Sequence, residues 1–328
     1  MVRTAIVTGA NTGIGFHTAL QLASTHGFHV LLACRSVSRG EAAAAAIRAQ
    51  NSEAVVTPME LDLCSFASVV AFAGRVRDEI GAIHVLVLNG GIGGMGIVAQ
   101  PTEDGCDLLY RVNFVSHFLL TLLLEPCLAA GAGGEADTPA RVVCVSSVTH
   151  RFGDAADWHA PLGFVAGRST YSTSKLAMAV LAAEVTRRWG TRRAARVVGL
   201  AVNPGAVNSD IWYRGQLPRW LETCAVRPLF SRLFLTAAQG AACSVAAASH
   251  AAYAPPGAVP PGLYLSPYRS PRRLPMPFDL WGPFAGAQRC TPHPPVTDAA
   301  AGAALWEATR GALRAWLPLD TAPPACAE

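Results

Sequence analysis

"TGANTGIG", Thr8 to Gly15, closes the short apolar run "TAIVT" and opens a helical pattern. Gly9, Gly13 and Gly15 therefore lie where a strand turns into a helix, the setting that a dinucleotide-binding turn requires. Glycines at such a turn let the backbone approach a pyrophosphate, and the partial positive charge of the helix N-terminus receives it. The spacing here is G-x-x-x-G-x-G rather than G-x-G-x-x-G. A tight strand-to-helix turn with no ligand is the alternative reading.

Outward from this turn the same rhythm continues to about Gly205. "TAIVTG", "HVLLAC", "VVTPMELD", "IHVLVLNG", "RVVCVSS" and "RVVGLAVNPG" read as buried strands, their continuous Val/Ile/Leu character suiting a parallel sheet covered on both faces. Between them "FHTALQLASTHG", "RGEAAAAAIRAQ", "FASVVAFAGRVRDEI", "GCDLLYRVNFVSHFLLTLLLEPC" and "YSTSKLAMAVLAAEVTRRWG" are helical in pattern. The alternation predicts an α/β fold with a doubly wound parallel sheet of Rossmann type. Beyond Gly205 the rhythm fails, and Pro and Gly crowd positions 254–295. Residues 1–328 are expected to form a single domain: a dinucleotide-binding and catalytic core over 1–205, a substrate cap with long Pro-rich loops over 206–299, and a helix over 300–317. Trp212, Tyr213, Trp220, Phe230 and Phe234 are candidates for an apolar pocket in the cap, with core or oligomer packing as the alternative.

Composition narrows the function classes. Net charge is +4 and the pI about 8.6, a bias too mild to demand a nucleic-acid partner. The basic run "RRWGTRRAAR" (Arg187 to Arg196) lacks interleaved aromatics and reads as a solvated helix end followed by a turn, an anionic partner being the alternative. Nine cysteines without C-x-x-C or His/Cys spacing read as reduced thiols, with no metal site. The most apolar run, "FLLTLLLEPCLAA", is broken by Glu125 and Pro126 and is too short to span a bilayer. With no targeting segment ahead of the first strand, a soluble cytoplasmic protein is expected.

Several polar residues stand out against this background. An NAD site usually shows an acid at the end of the second strand, for the ribose 2′-hydroxyl. Here the text is "LLACRS", and Arg35 favours a 2′-phosphate, hence NADP(H), unless it is only a solvated loop residue. Asp62, ending the third strand, either meets the adenine side or caps the next helix. Ser147 ends a strand, at the sheet edge where ligands bind. Tyr171 and Lys175, four residues apart, project from one helix face. Of the 26 lysines and arginines, Lys175 alone is lysine. Arginine cannot replace it where a compact three-donor cation is needed. Together with Asn113 on the long helix, these groups suggest proton delivery to a carbonyl during hydride transfer.

Carried by "TGANTGIG", "LDL", "LNGG", "VNFVSHFLLT", "VSS", "YSTSK" and "NPGAVNS", the chain resembles the short-chain dehydrogenases/reductases over about residues 3 to 215. "ACRS…RGE" and "TEDG" are most similar to its retinol dehydrogenase and protochlorophyllide reductase branch. The resemblance implies a catalytic tetrad of Asn113, Ser147, Tyr171 and Lys175. It implies cofactor contacts from Gly9, Asn11, Thr12, Gly13, Ile14, Gly15, Arg35, Asp62, Leu63, Asn89, Gly90, Tyr171, Lys175, Pro204, Gly205, Val207 and Ser209. Leu88, Gly90 and Gly91 stand where the family usually writes Asn-Asn-Ala-Gly around Asn89, and Ser209 where a Thr commonly contacts the nicotinamide amide.

The mechanism so implied has Ser147 and Tyr171 holding the oxygen of a small-molecule carbonyl or alcohol, with Tyr171 moving its proton. Lys175 binds the nicotinamide ribose and lowers the phenol from its usual value of about 10, and Asn113 holds a water linking Lys175 to solvent. The branch leans towards retinoid, steroid or aldehyde-like substrates. A catalytically silent NADP(H)-binding sensor or scaffold is the rival from another class, and an epimerase or dehydratase would show a G-x-x-G-x-x-G turn that is absent here. The apolar helix 108–128 reads as a homodimer face or as a surface buried under the cap.

Overall fold

The computed structural model describes residues 2–93, 100–103, 105–133, 138–155, 170–191, 196–208, 234–253, 259–268 and 284–318. The six anticipated strands form: β1 (Thr4–Thr8), β2 (His29–Cys34), β3 (Val56–Glu60), β4 (Val85–Leu88), β5 (Ala140–Val145) and β6 (Val197–Val202). They pair in parallel in the order β3-β2-β1-β4-β5-β6, with Ile6 opposite Leu31 on one side and Leu86 on the other. Strand order reverses between β1 and β4, which opens a crevice at their carboxyl ends.

Side-chain alternation divides the core in two. Ala5, Val7, Val30, Leu32, Val85 and Val87 point to the layer formed by α1 (Gly13–Ser24), α2 (Val37–Gln50) and α8 (Ala237–Ser249). Ile6, Leu31, Leu86 and Val142 point the other way, under α3 (Phe66–Glu79), α4 (Leu108–Tyr110), a π turn (Arg111–Val115), α5 (Ser116–Leu123), α6 (Glu125–Gly131), α7 (Tyr171–Trp189) and α9 (Ala299–Ala312). The sheet is thus apolar on both faces, as its Val/Ile/Leu runs require.

The stretch 206–299 contributes more than loops. Its described part includes α8 and two strands, β7 (Tyr264–Tyr268) and β8 (Phe284–Cys290), that extend the sheet past β6. β7 pairs parallel to β6, and β8 returns antiparallel as the edge. Trp212, Tyr213, Trp220 and Phe230 lie outside the described residues.

The long apolar segment is a broken helix. A π turn and a bend at Leu124 interrupt it, and its side chains are buried within the chain against α3, α7 and α9. No single described helix is long and apolar enough to cross a membrane. The basic run is not simply solvated: Arg187 and Arg188 on α7 both pair with the buried Glu184, and Arg188 also reaches Glu307 on α9.

Candidate active site

A cleft of about 650 Å³ lies at the crevice between β1 and β4. Gly9, Asn11, Thr12, Gly13, Ile14, Gly15, Arg35, Asp62, Leu63, Asn89 and Gly90 all line it. Two glycines of the opening turn are required by geometry. Gly9 has φ +64°, and a Cβ there would lie 2.9 Å from the Gly90 Cα. A Cβ at Gly15 would sit 2.3 Å from the Gly9 carbonyl oxygen, so only glycine lets α1 start this close to β1. Thr8 ties the two sides together, its Oγ1 accepting the backbone N–H of Asn89 (2.9 Å) and Gly90 (2.8 Å), while Asn89 Nδ2 donates to the Thr8 carbonyl.

At Gly90 an added Cβ would come within 2.8 Å of the tip of the Leu63 side chain. At the far end of the cleft, Arg35 and Ser36 follow β2 and Arg39 stands in the first turn of α2, all lining the cavity. Asp62 also lines it; its carboxylate accepts from Cys64 N, and the cap of α3 is supplied by Ser65 instead.

The four polar residues meet beside this cleft. Asn113 is fully buried in the π turn and spends its side chain on the backbone of Ile92: Oδ1 accepts from Ile92 N (2.8 Å) and Nδ2 donates to Ile92 O (2.9 Å). Lys175, one turn into α7, is 6 % exposed and donates from Nζ to Val145 O at 3.1 Å. A Cβ on Gly91, which lines the cleft, would lie 3.7 Å from that Nζ. The Tyr171 ring lies with its centroid 5.7 Å from Nζ and presses on Gly93, where a Cβ would be 2.6 Å away. Ser147 lies two residues past β5 and caps the turn that follows, its hydroxyl accepting from Thr149 N and acting on the Tyr171 phenol.

The electrostatics differ from expectation. The Tyr171 side chain is half-buried, and burial of its hydroxyl pushes the phenol up to about 12, with Ser147 pulling the other way. The Lys175 ammonium donates to Val145 O rather than to the phenol. Burial lowers the lysine to about 8.

Pro204, Gly205 and Val207 follow β6. Gly205 has φ +82° and is hemmed in by Pro267, Tyr268 and Leu235, while the Val207 side chain meets Gly240 next to Ile14. Ser209 lies outside the described residues. Sequence reasoning missed Arg39, Gly93 and Asn208, which also lines the cleft. Arg39 alone carried a signal, one helical turn beyond Arg35.

The cleft and the convergent groups fit a known family. A family model described as short chain dehydrogenase matches residues 3–216. "Dehydrogenase/reductase SDR family member 13" of Bos taurus is 42 % identical over 73 % of this chain, and the match spans 60 % of that protein's length. "Retinol dehydrogenase 12" of Mus musculus is 37 % identical over 73 % of this chain and 71 % of its own. Salutaridine reductase from Papaver somniferum shares the fold, with a TM-score of 0.55 at 20 % identity over 80 % of this chain and 99 % of that one. A family match of this extent, which takes in the glycine turn and the Tyr171–Lys175 pair, makes the chain a member of the short-chain dehydrogenase family.

Proposed function

We propose that this chain is an NADP(H)-dependent oxidoreductase that moves a hydride between nicotinamide and the carbonyl or alcohol carbon of a lipophilic small molecule. One observation carries the reading. Lys175 is a buried cation facing the cleft floor, and among the described residues no carboxylate pairs with it. A buried charge without a partner costs several kcal/mol, and such a cost concentrates at functional sites.

The cleft suits a dinucleotide. Beyond its own turn, Gly13 at the start of α1 has no protein atom within 4 Å of where its Cβ would be, and the first turn of α1 has no acid to repel a phosphate. Arg35 and Arg39 would hold a 2′-phosphate, which supports NADP(H) over NAD(H). The bound nicotinamide supplies or receives the hydride.

This chain's own residues do the rest. Ser147 and Tyr171 orient the substrate oxygen, and Tyr171 moves its proton. A phenol that keeps its proton above neutral pH is in the form needed to deliver it to a carbonyl. Lys175 holds the ribose and remains a cation below about pH 8. Asn113, through Ile92, fixes the loop against which the nicotinamide would rest. The retinol dehydrogenases among the relatives act, by name, on a lipophilic alcohol, and that supports the substrate class.

The test is a fluorescence titration with NADPH and NADH, followed by a screen of ketones and aldehydes for NADPH oxidation. NADPH is expected to bind about tenfold tighter or more, a difference of about 1.4 kcal/mol, and the preference shrinks in Arg35→Ala. Equal affinities, or a preference unchanged in that variant, remove Arg35 from the site. Tight binding with no turnover of any carbonyl leaves the silent sensor as the better reading.

A further inference from the structure

Two buried histidines stand behind the tetrad, one beneath Asn113 and one beneath Ser147. Both are fully buried. His117 Nδ1 lies 3.1 Å from the main-chain oxygen of Asn113, and His150 Nδ1 lies 2.7 Å from that of Ser147. A carbonyl only accepts, so each Nδ1 carries a proton. The opposite nitrogens settle the rest. The backbone N–H of His293 donates to His150 Nε2 at 3.1 Å, so that nitrogen presents a lone pair. His117 Nε2 is 3.0 Å from Thr8 Oγ1, which already accepts from Asn89 and Gly90 and has only its own proton left to give. The nearest other taker for that proton, Val87 O, is 3.5 Å away.

We propose that His117 and His150 are positioning residues, each locked in the Nδ1–H form and each pinning the main-chain carbonyl of a tetrad residue that does not lie on α7. His117 closes a circuit of hydrogen bonds. Thr8 holds Asn89 and Gly90, Ile92 holds the Asn113 amide, the Asn113 carbonyl is held by His117, and His117 returns to Thr8. The glycine turn, the loop after β4 and the π turn therefore keep one mutual geometry. A π turn shifts the helical ladder by one residue, as the Ser116 N–H to Arg111 O bond does here, and a side-chain donor on a neighbouring carbonyl stabilises that irregularity. His150 does the same for the turn after β5, with the Tyr264 hydroxyl 3.4 Å from its Nδ1.

The charged surroundings favour the neutral rings. Lys175 faces His117, and Arg151 and His293 face His150; with burial as the main cause, both histidines are lowered to about 4.

This inference rests on the oxidoreductase reading for its kinetic arm only. Asparagine places an N–H donor where Nδ1 was, whereas glutamine places its amide near Nε2. His117→Asn and His150→Asn should keep turnover within about threefold of wild type. The glutamine variants, melting within a few degrees of the asparagine ones, should lose about tenfold to a hundredfold in kcat, with the carbonyl KM little changed, as a small misplacement of reacting groups does. Equal rates in the Asn and Gln variants, or rates that simply follow thermal stability, overturn the proposal. If the wild type reduces no carbonyl, the oxidoreductase reading fails alone. The histidines are then decided by ¹⁵N spectra of the imidazoles, assigned by the resonances missing from the two Asn variants. Nδ1–H rings at pH 7 support the proposal, and Nε2–H or cationic rings overturn it.

Discussion

At position 175 a lysine meets a space that a guanidinium does not fit. Val145 O stands 3.1 Å from Nζ on one side and Gly91 bounds the other. Arginine keeps the charge but spreads it over a wide planar fork. Lys175→Arg should bind NADPH more weakly and turn over about a hundredfold more slowly. Wild-type rates should fall above about pH 8, where the lysine gives up its proton, and the variant should lose that fall. Initial rates across pH 6 to 10, with melting curves to verify folding, measure both effects; a near wild-type rate with an unchanged alkaline fall would leave Lys175 without the role given it. Gly93→Ala tests the same geometry from the side, because its methyl would press into the Tyr171 ring. That variant should lose turnover while NADPH binding stays within a few fold, and equal losses in both would show instead that the loop has collapsed into the cleft. The polar residues themselves were legible because each sits in a short motif at a strand end or on one helix face. The raised phenol was not, since its enclosure comes from loop residues such as Gly93 that no local pattern ties to position 171.

Between elements, α7 and α9 show what local patterns convey and what they omit. Trp306 of α9 is nearly buried, its ring 5.0 Å from Phe118 and 5.8 Å from Trp189, with the Arg188 guanidinium 4.5 Å above it. Trp306→Ala should cost about 3 to 5 kcal/mol of stability, as truncation of a large core aromatic does. Because Trp306 does not line the cleft, NADPH affinity should survive in the folded variant. Urea unfolding and a cofactor titration test the two halves separately, and a loss below about 1 kcal/mol would mean that α9 is only loosely docked. The amphipathic pattern of α9 announced this helix. β7 and β8 had no such announcement. β7 is five residues long and contains Pro267, and β8 carries Gly286, Gln288 and Arg289 on an edge that stays half-exposed. Neither has the Val/Ile/Leu run of the central strands, because each is defined by the neighbour it pairs with. The break in the helix after Asp107 was equally silent: nothing in "RVNFV" marks an i to i+5 hydrogen bond.

For the whole molecule the histidines set the response to acid. His117 and His150 titrate near 6.5 in the unfolded chain and near 4 in the folded one. Between those values the unfolded state takes up protons that the native state refuses, so stability falls as pH drops through about 6.5 and stops falling from this cause near 4. Each ring contributes up to about 3 kcal/mol to that loss. The less buried His17, His26, His29, His84 and His293 shift in the same direction and add to it. Urea midpoints should therefore decline from pH 7 to pH 5, and less steeply in His117→Asn; a flat profile would mean that the rings are protonated in the native state.

The burial of Lys175 has a further consequence, for the chain's surface. With no other lysine in the sequence, the folded protein offers no side-chain amine to solvent. Apart from the α-amine, acylating reagents and amine cross-linkers meet an acceptor only at Lys175, by way of the cleft or when the core opens beside β5. Labelling of that single side chain, followed by mass spectrometry with and without NADPH, would then time access to the heart of the molecule, slowed by whatever fills the cleft or holds α7 against the sheet.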